Sequence, residues 1–215
     1  GNEQYRDRID MQPEEFYQRL VSDKQHPTSS QAGIPDFVHA YNTLIERGAT
    51  QIIMITVSSA MSGTYSRALE ASKFVNVPVS VVDSKGPTMT LGWQVLAAAR
   101  ARNKGLDLQE ILKKVDQVRN RMVQFVCMDS LEYLQKGGRI GGAVKWVGSK
   151  LQVKPLVSIN HVTGLVEPVG LAMTHKKLVD MMYSKFFSLL ANGKPMHLAI
   201  LHGNALDQAE ILAKR

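Results

Sequence analysis

The spacing of apolar residues along the chain predicts strands that alternate with helices. Residues 52–57, 77–82 and 123–128 are short apolar runs rich in β-branched side chains, as in strands that are covered on both faces. A helix is expected after each run, over residues 65–74, 90–104 and 129–135. This alternation is typical of an α/β domain, so we expect all three strands in one parallel sheet, with their following loops at one edge.

Several helix ends are marked by residues that favour such positions. A proline in the first turn followed by acidic residues predicts a helix that begins at Pro13. Pro35 opens a second helix, which Gly48 ends. Asp107 is expected to cap a helix that extends to about Arg121.

The pattern changes after residue 142. A helix of mixed character is expected first, and then residues 153–159 and 165–169 form two apolar runs around a turn that contains Gly164. This arrangement predicts a β-hairpin. A helix, a strand and a final helix are expected beyond it, over residues 176–191, 196–201 and 206–214. We therefore expect an α/β parallel-sheet domain over residues 1–145 and a partial second α+β domain over residues 146–215.

The composition is that of an ordinary globular protein. Hydrophobic residues make up 44% of the 215 positions and charged residues 21%. The single cysteine, Cys127, excludes an internal disulfide framework, and the histidines show no metal-ligand spacing. No stretch reaches the roughly 20 apolar residues of a membrane span. We expect a cytoplasmic protein with no transmembrane segment, no metal and no cofactor.

The net charge of +7 raises the question of a nucleic-acid partner. The basic residues are scattered, however, and none of their groups is interleaved with aromatic residues in a recognisable nucleic-acid module. We therefore expect no nucleic-acid binding, and we interpret the charge as a solvated basic surface. A module that binds nucleic acid or an acidic partner through this surface is the third of three hypotheses.

The serine-rich turn at residues 58–64 offers the most specific chemistry. It follows a buried strand and precedes a helix, so that hydroxyls lie beside the free N–H groups of a helix N-terminus, as a phosphate or carboxylate requires. Capping of that helix by Ser62 or Thr64 is the alternative. The turn has neither the P-loop pattern nor the G-x-S-x-G pattern of a nucleophile elbow.

Other polar residues follow other predicted elements. Asp83 and Ser84 end the second strand, where they could serve a site or cap the next helix. Residues 28–30 form another hydroxyl cluster, and His202 follows the predicted strand at 196–201. His202 is also the only base that we consider for a loop serine, so an enzymatic alternative is a Ser-His hydrolase or a transferase that uses residues 58–64.

These segments, in this order, resemble the DegV family of bacterial lipid-binding proteins. The most recognisable is the Ser-Ser-Ala-Met-Ser-Gly-Thr-Tyr motif. The segments that carry the resemblance are residues 13–17, 27–31, 58–65, 81–84, 131–140, 153–155 with Gly164, and 202–203. Any one of them is a weak signal, whereas their order along most of the chain is a strong one.

The resemblance implies a two-domain carrier rather than an enzyme, with a long-chain fatty acid bound between the domains. Its carboxylate would be held by hydroxyl groups, and some members present the fatty acid to a separate fatty acid kinase subunit. By similarity the headgroup residues are Ser59 with Ser58, Ser29 or Thr28, and His202. Residues of secondary interest are Ser62, Gly63 and Thr64.

The sequence also departs from the family pattern. Relative to the family it lacks a first strand and a closing segment, so it is expected to be truncated at both ends. Met173 stands where many members carry a basic residue. That change removes a cation that could hold the headgroup or a phosphate, and it bears on the kinase partnership more than on lipid binding.

Overall fold

The computed structural model of the chain describes residues 3–23, 25–146, 153–190 and 195–215. These residues divide into two compact units, a smaller one formed by residues 1–29 and 191–215 and a larger one formed by residues 30–190. The elements in chain order are α1 (Pro13–Ser22), α2 (Ile34–Glu46), β1 (Ile52–Thr56), α3 (Thr64–Ala71), β2 (Val79–Asp83), α4 (Met89–Asn103), α5 (Leu108–Arg119), β3 (Phe125–Cys127), α6 (Glu132–Lys136), β4 (Lys154–Ile159), β5 (Val166–Ala172), α7 (His175–Ser188) and α8 (Leu206–Lys214).

In the larger unit, β1 and β2 form the predicted parallel pair, connected through α3. Their register runs from Ile52 opposite Val79 to Thr56 opposite Asp83, so both strands end at the same edge. An apolar cluster of α2, α3 and β1 residues packs beside this pair. At its centre the buried Tyr41 hydroxyl donates a hydrogen bond to the Ala68 carbonyl at 3.1 Å.

The prediction that the third strand joins this parallel sheet is wrong. β3 is one of the two edge strands of an antiparallel sheet of order β3-β4-β5, with Phe125 opposite Ser158 and Cys127 opposite Leu156. An apolar run of this length can be buried in either kind of sheet, because burial does not encode the direction of the neighbouring strand. The partner strand decides whether β3 pairs in a parallel or an antiparallel direction. That partner, β4, lies about 30 residues further along the chain.

The predicted hairpin is confirmed. β4 and β5 pair antiparallel from Ile159 opposite Val166 to Lys154 opposite Ala172, with one irregularity in register between Leu156 and Val157. α7 packs against this sheet through Leu178, which is fully buried. Strands from both sides of residue 145 thus share one sheet, and the expected division into domains 1–145 and 146–215 stays a prediction.

The predicted helices are confirmed with small shifts at their ends. Asp107 caps α5 as expected, because its carboxylate accepts from the Glu110 amide while the Glu110 side chain accepts from the Asp107 amide. The helix expected after residue 142 is a 3-10 helix at Gly141–Trp146, and the remainder of that prediction, residues 147–152, lies outside the described residues.

The strand predicted over residues 196–201 is also wrong. This segment of the smaller unit is irregular, and the side chains of Met196, Leu198 and Leu201 are at least half exposed. A strand needs a neighbour to complete its hydrogen bonds, and within the described part of the chain this segment joins no sheet. Apolar composition alone therefore did not make this segment a strand.

In the described residues, no helix combines the length and hydropathy that a membrane crossing requires.

Candidate ligand-binding site

The site is built where three loops of the larger unit meet. Two of them follow the carboxyl ends of β1 and β2, and the third is the turn between β4 and β5. Backbone hydrogen bonds join the first two loops, because the Ser84 amide donates to the Thr56 carbonyl at 3.1 Å and the Ser58 amide donates to the Gly86 carbonyl at 3.3 Å. The candidate serines are therefore held by paired loops at one sheet edge.

Ser58 connects these loops to the hairpin turn. Its buried hydroxyl donates to the Gly164 carbonyl at 2.8 Å and accepts from the Ala60 amide at 3.2 Å. Gly164 has φ of +78°, and a Cβ atom there would lie 2.1 Å from the Ser58 Oγ atom. Glycine is thus required for both conformation and space. Because the hydrogen of its hydroxyl group is already donated to Gly164, the Ser58 side chain has a structural role.

Ser59, the next residue, is exposed and faces a carboxylate. Its amide donates to Asp83 Oδ1 at 3.2 Å, and the Lys85 amide donates to the same oxygen at 2.9 Å. The Lys85 Nζ atom lies 3.0 Å from Asp83 Oδ2. Burial acts to raise the pKa of Asp83, but hydrogen bonds from Ser59 and Lys85 outweigh it and hold that pKa below its usual range. Asp83 is therefore ionised beside Ser59.

Ser84, the other polar residue predicted at this strand end, is fully buried. Its hydroxyl donates to the Gly86 carbonyl at 2.8 Å, and its own carbonyl accepts from the Gln94 side chain at 2.9 Å. Gln94 lies on α4 and is also buried. Ser84 thus shapes the second loop and attaches it to α4, with no exposed group left for a ligand.

His161 belongs to the site although sequence reasoning assigned it no role there. Its Nδ1 atom lies 3.3 Å from the Lys85 carbonyl, an acceptor, so Nδ1 carries the proton. Its Nε2 atom is buried and has no hydrogen-bond partner among the described residues. Burial lowers the pKa of His161, which keeps the ring neutral. No spacing in the sequence could have revealed this contact, since the hairpin fold alone creates it.

The start of α3 does not show the capping by Ser62 or Thr64 that was left as an alternative, because no side chain caps this helix. The Ser62 and Thr64 hydroxyls are 2.8 Å apart, and the Thr64 amide donates to the Ser62 hydroxyl at 3.3 Å. Gly63 is the N-cap residue, and the Gln31 side-chain amide lies against it, 3.0 Å from where a Cβ atom would be. Arg139 Nε donates to the Met61 carbonyl at 3.0 Å. Gln31 and Arg139 are thus two further polar neighbours of the turn.

The other predicted headgroup residues belong to the smaller unit. Thr28 and Ser29 are exposed in an irregular segment. His202 is exposed as well, and its Nδ1 atom accepts a hydrogen bond from the Ala205 amide at 3.3 Å. The predicted set is therefore divided between the two units, and its convergence on one ligand stays a prediction. Met173 is exposed just beyond β5, at the end of the hairpin opposite its turn.

The side chains that the structure describes offer little for metal binding or for nucleophilic attack by a thiol. The described residues contain no cluster of three or more His, Cys, Asp or Glu side chains that could hold a metal ion. Burial raises the pKa of the Cys127 thiol to about 11, so that this thiol is protonated and a poor nucleophile at neutral pH. The loops instead offer the exposed Ser59 hydroxyl and, beside it, the Lys85 ammonium group to an anionic group.

Comparisons with known proteins agree with this architecture. A family model described as uncharacterised proteins of the DegV family matches residues 1–215. A DegV domain-containing protein of Staphylococcus aureus is 31% identical over 203 residues, covering 94% of this chain and 70% of the relative.

Two solved structures are similar over most of the chain. One, described as showing fatty acid binding of a DegV family protein from Thermus thermophilus, superposes with a TM-score of 0.81 at 31% identity, covering 88% of this chain and 66% of that one. The other, DegV from Bacillus subtilis, described as a fatty acid binding protein, gives 0.84 at 29% identity, covering 99% and 75%. This chain thus spans about two thirds to three quarters of its relatives' length. Because the family model matches the whole sequence, the chain belongs to the DegV family.

Proposed function

We propose that this protein binds a long-chain fatty acid and that the exposed Ser59 is the first donor to its carboxylate. The observation that carries the proposal is the position of Ser59, which the Asp83 carboxylate holds at the junction of the two strand-end loops. Its side chain is accessible, whereas that of Ser58 is buried and already bonded. The fatty acid binding described for the Thermus thermophilus and Bacillus subtilis relatives supports the same ligand class.

The loop also has an apolar side that suits an acyl chain. Met61 packs against a cluster that includes the buried residues Ala143, Val157, Ile159 and Val166. A flexible methionine can adapt to a chain inserted beside it. Each buried methylene contributes about 0.8 kcal/mol, so a long acyl chain supplies most of the affinity. The polar donors then determine which end of the ligand lies at the loops.

The remaining predicted residues complete the proposal. By the family resemblance Thr28, Ser29 and His202 are further candidates for the headgroup, and Ser58 would act by fixing the loop that carries Ser59. The ligand would lie between the two proposed domains. The family resemblance extends the proposal to a carrier that presents its fatty acid to a separate kinase subunit, without catalysing a reaction itself. Met173 supplies no cation to such a partner.

The partners of the loop serines favour a carrier over a Ser-His enzyme. The Ser58 hydroxyl donates to a carbonyl, the Ser59 backbone amide donates to Asp83, and the Ser62 hydroxyl pairs with that of Thr64. Among residues 30–146 and 153–190 none of these serines bonds to a histidine. An Asp with a lowered pKa is a weak base, so Ser59 is poorly activated for nucleophilic attack.

The first experiment is mass spectrometry of a solvent extract of the purified protein, followed by titration of the delipidated protein with oleic acid. We expect a stoichiometric fatty acid in the extract and saturable uptake of oleate. The Ser59→Ala variant should bind oleate about tenfold more weakly, because the carboxylate loses a charge-assisted hydrogen bond.

Ser66→Ala is the matched control, since Ser66 is an exposed serine on α3 and the same atom is removed. It should bind oleate like the unmodified protein. A protein that is empty as purified and takes up no added oleate would refute the proposed function. Equal binding by the Ser59→Ala and Ser66→Ala variants would refute the assignment of Ser59.

A further inference from the structure

A carboxylate ligand at Ser59 would have a second carboxylate as its neighbour. Asp83 is ionised, and its side chain is only 12% exposed, so solvent screens it poorly. The Ser59 amide donates to its Oδ1 atom at 3.2 Å. Two carboxylates that share a poorly solvated site raise each other's pKa, and a cation beside them opposes that effect. Such a cation therefore favours binding of the ligand as an anion.

Lys85 is the cation in the right place. Its Nζ atom lies 3.0 Å from Asp83 Oδ2, and its side chain is 30% exposed. The residue is held by its backbone on both sides, since its amide donates to Asp83 and its carbonyl is contacted by His161. Its φ of +56° is a conformation that side-chain-bearing residues rarely adopt. Its stem also packs close to Gly164 in the hairpin turn.

We propose that Lys85 is the residue that lets this site accept an ionised headgroup, by neutralising Asp83 while Asp83 orients Ser59. This inference rests on the proposed function and adds a reason why the site would select charged over uncharged ligands. Asp83 and Lys85 are positioning and specificity-determining residues, and together they decide whether the ligand carboxyl group binds charged or protonated. With Lys85 present, fatty acid anions are preferred over uncharged lipids of the same length.

The other charged and titratable groups around the pair do not replace Lys85. Arg119 directs its guanidinium to the Asp83 carbonyl and to the Asp116 carboxylate. Arg139 donates to the carbonyls of Met61 and Gly137. His161 is neutral and faces Lys85 through a backbone carbonyl. Of these groups only Lys85 reaches the Asp83 carboxylate itself.

The test compares oleic acid with oleyl alcohol, which has the same chain and no charge. Affinities are measured by displacement of a fluorescent fatty acid from the delipidated full chain, from about pH 6 to about pH 9. Lys85→Met keeps the apolar stem and removes the charge. We expect about tenfold weaker oleate binding by Lys85→Met near pH 8, an unchanged affinity for the alcohol, and a deficit that shrinks as pH falls and the ligand becomes protonated.

A double variant distinguishes two roles of Lys85, neutralisation of Asp83 and direct contact with the ligand carboxylate. In Asp83→Asn/Lys85→Met the charge to be neutralised is gone, so oleate affinity should return to within about threefold of the unmodified protein. Lys85→Arg should keep oleate binding. Lys104→Met is the matched control, because Lys104 is exposed on the C-terminal side of α4 and the net charge changes equally. It should leave both affinities unchanged.

The outcomes distinguish this inference from the proposed function. If the unmodified protein binds neither oleate nor the alcohol, the proposed function fails. If it binds oleate but Lys85→Met binds oleate equally well near pH 8, or loses oleate and alcohol alike, the inference is overturned while the function stands. A double variant as weak as Lys85→Met alone would refute neutralisation of Asp83 as the cause.

Discussion

The contact between Ser58 and Gly164 offers a quantitative test of how the loops are joined. Ser58→Ala removes a buried hydroxyl that donates to the Gly164 carbonyl and accepts from the Ala60 amide. Leaving such groups unpaired costs about 1–3 kcal/mol of the free energy of unfolding. Gly164→Ala brings two costs. An alanine at φ of +78° is strained by about 1–2 kcal/mol, and its Cβ atom would lie 2.1 Å from the Ser58 Oγ atom.

The two substitutions should not be additive. When Ser58 is alanine, the atoms nearest to an added Gly164 Cβ are the residue 58 Cβ at 3.3 Å and the Lys85 Cδ at 3.4 Å. Small shifts accommodate these distances, so the collision disappears and the backbone strain remains. The double variant should therefore be more stable than the sum of the single effects predicts, by about 1–2 kcal/mol.

Urea denaturation of the four proteins, followed by tryptophan fluorescence and extrapolated linearly, completes the double-mutant cycle. Equal m-values are needed for the comparison. Additivity within about 0.5 kcal/mol would refute the contact, because two substitutions that share no interaction add in this way. A Gly164→Ala variant as stable as the unmodified protein would refute both the positive φ and the close approach.

Two further predictions concern stability. Because burial lowers the pKa of His161, its contribution to stability is intact above the unfolded-state value of about 6.5 and is lost as pH falls through the folded-state value. His161→Gln should flatten the decline in unfolding free energy between about pH 7 and about pH 5, and an unchanged slope would count against a buried neutral ring. Asp107→Ala should cost about 1 kcal/mol in urea denaturation through loss of the α5 capping box, whereas Asp107→Asn should cost less; equal losses would contradict the cap.

Features that depend on nearby residues could be predicted from the sequence. The α5 helix is capped by the predicted Asp107, and the hairpin forms around the predicted Gly164 turn. The parallel pairing of β1 and β2 also followed from the alternation of elements. In each case the signal is a local spacing, a cap or a turn residue, whose effect on the backbone does not depend on distant packing.

Features that depend on partners far along the chain could not be predicted. The apolar run at β3 is compatible with either sheet, and only its pairing with β4 made it antiparallel. The run at residues 196–201 has strand composition but completes no ladder in the described structure, and so remains irregular.

The candidate site shows the same division between sequence and tertiary structure. By itself the sequence determined that hydroxyls and an acidic residue lie at the ends of β1 and β2 or just beyond them, and that the chain resembles DegV proteins. Tertiary structure decided that Ser58 is buried against Gly164, 106 positions away, while the adjacent Ser59 is exposed beside Asp83. It also placed His161 against the Lys85 carbonyl. Two neighbouring serines are chemically identical in a sequence, and only the surrounding packing, which sets burial and partners, makes one structural and the other available to a ligand.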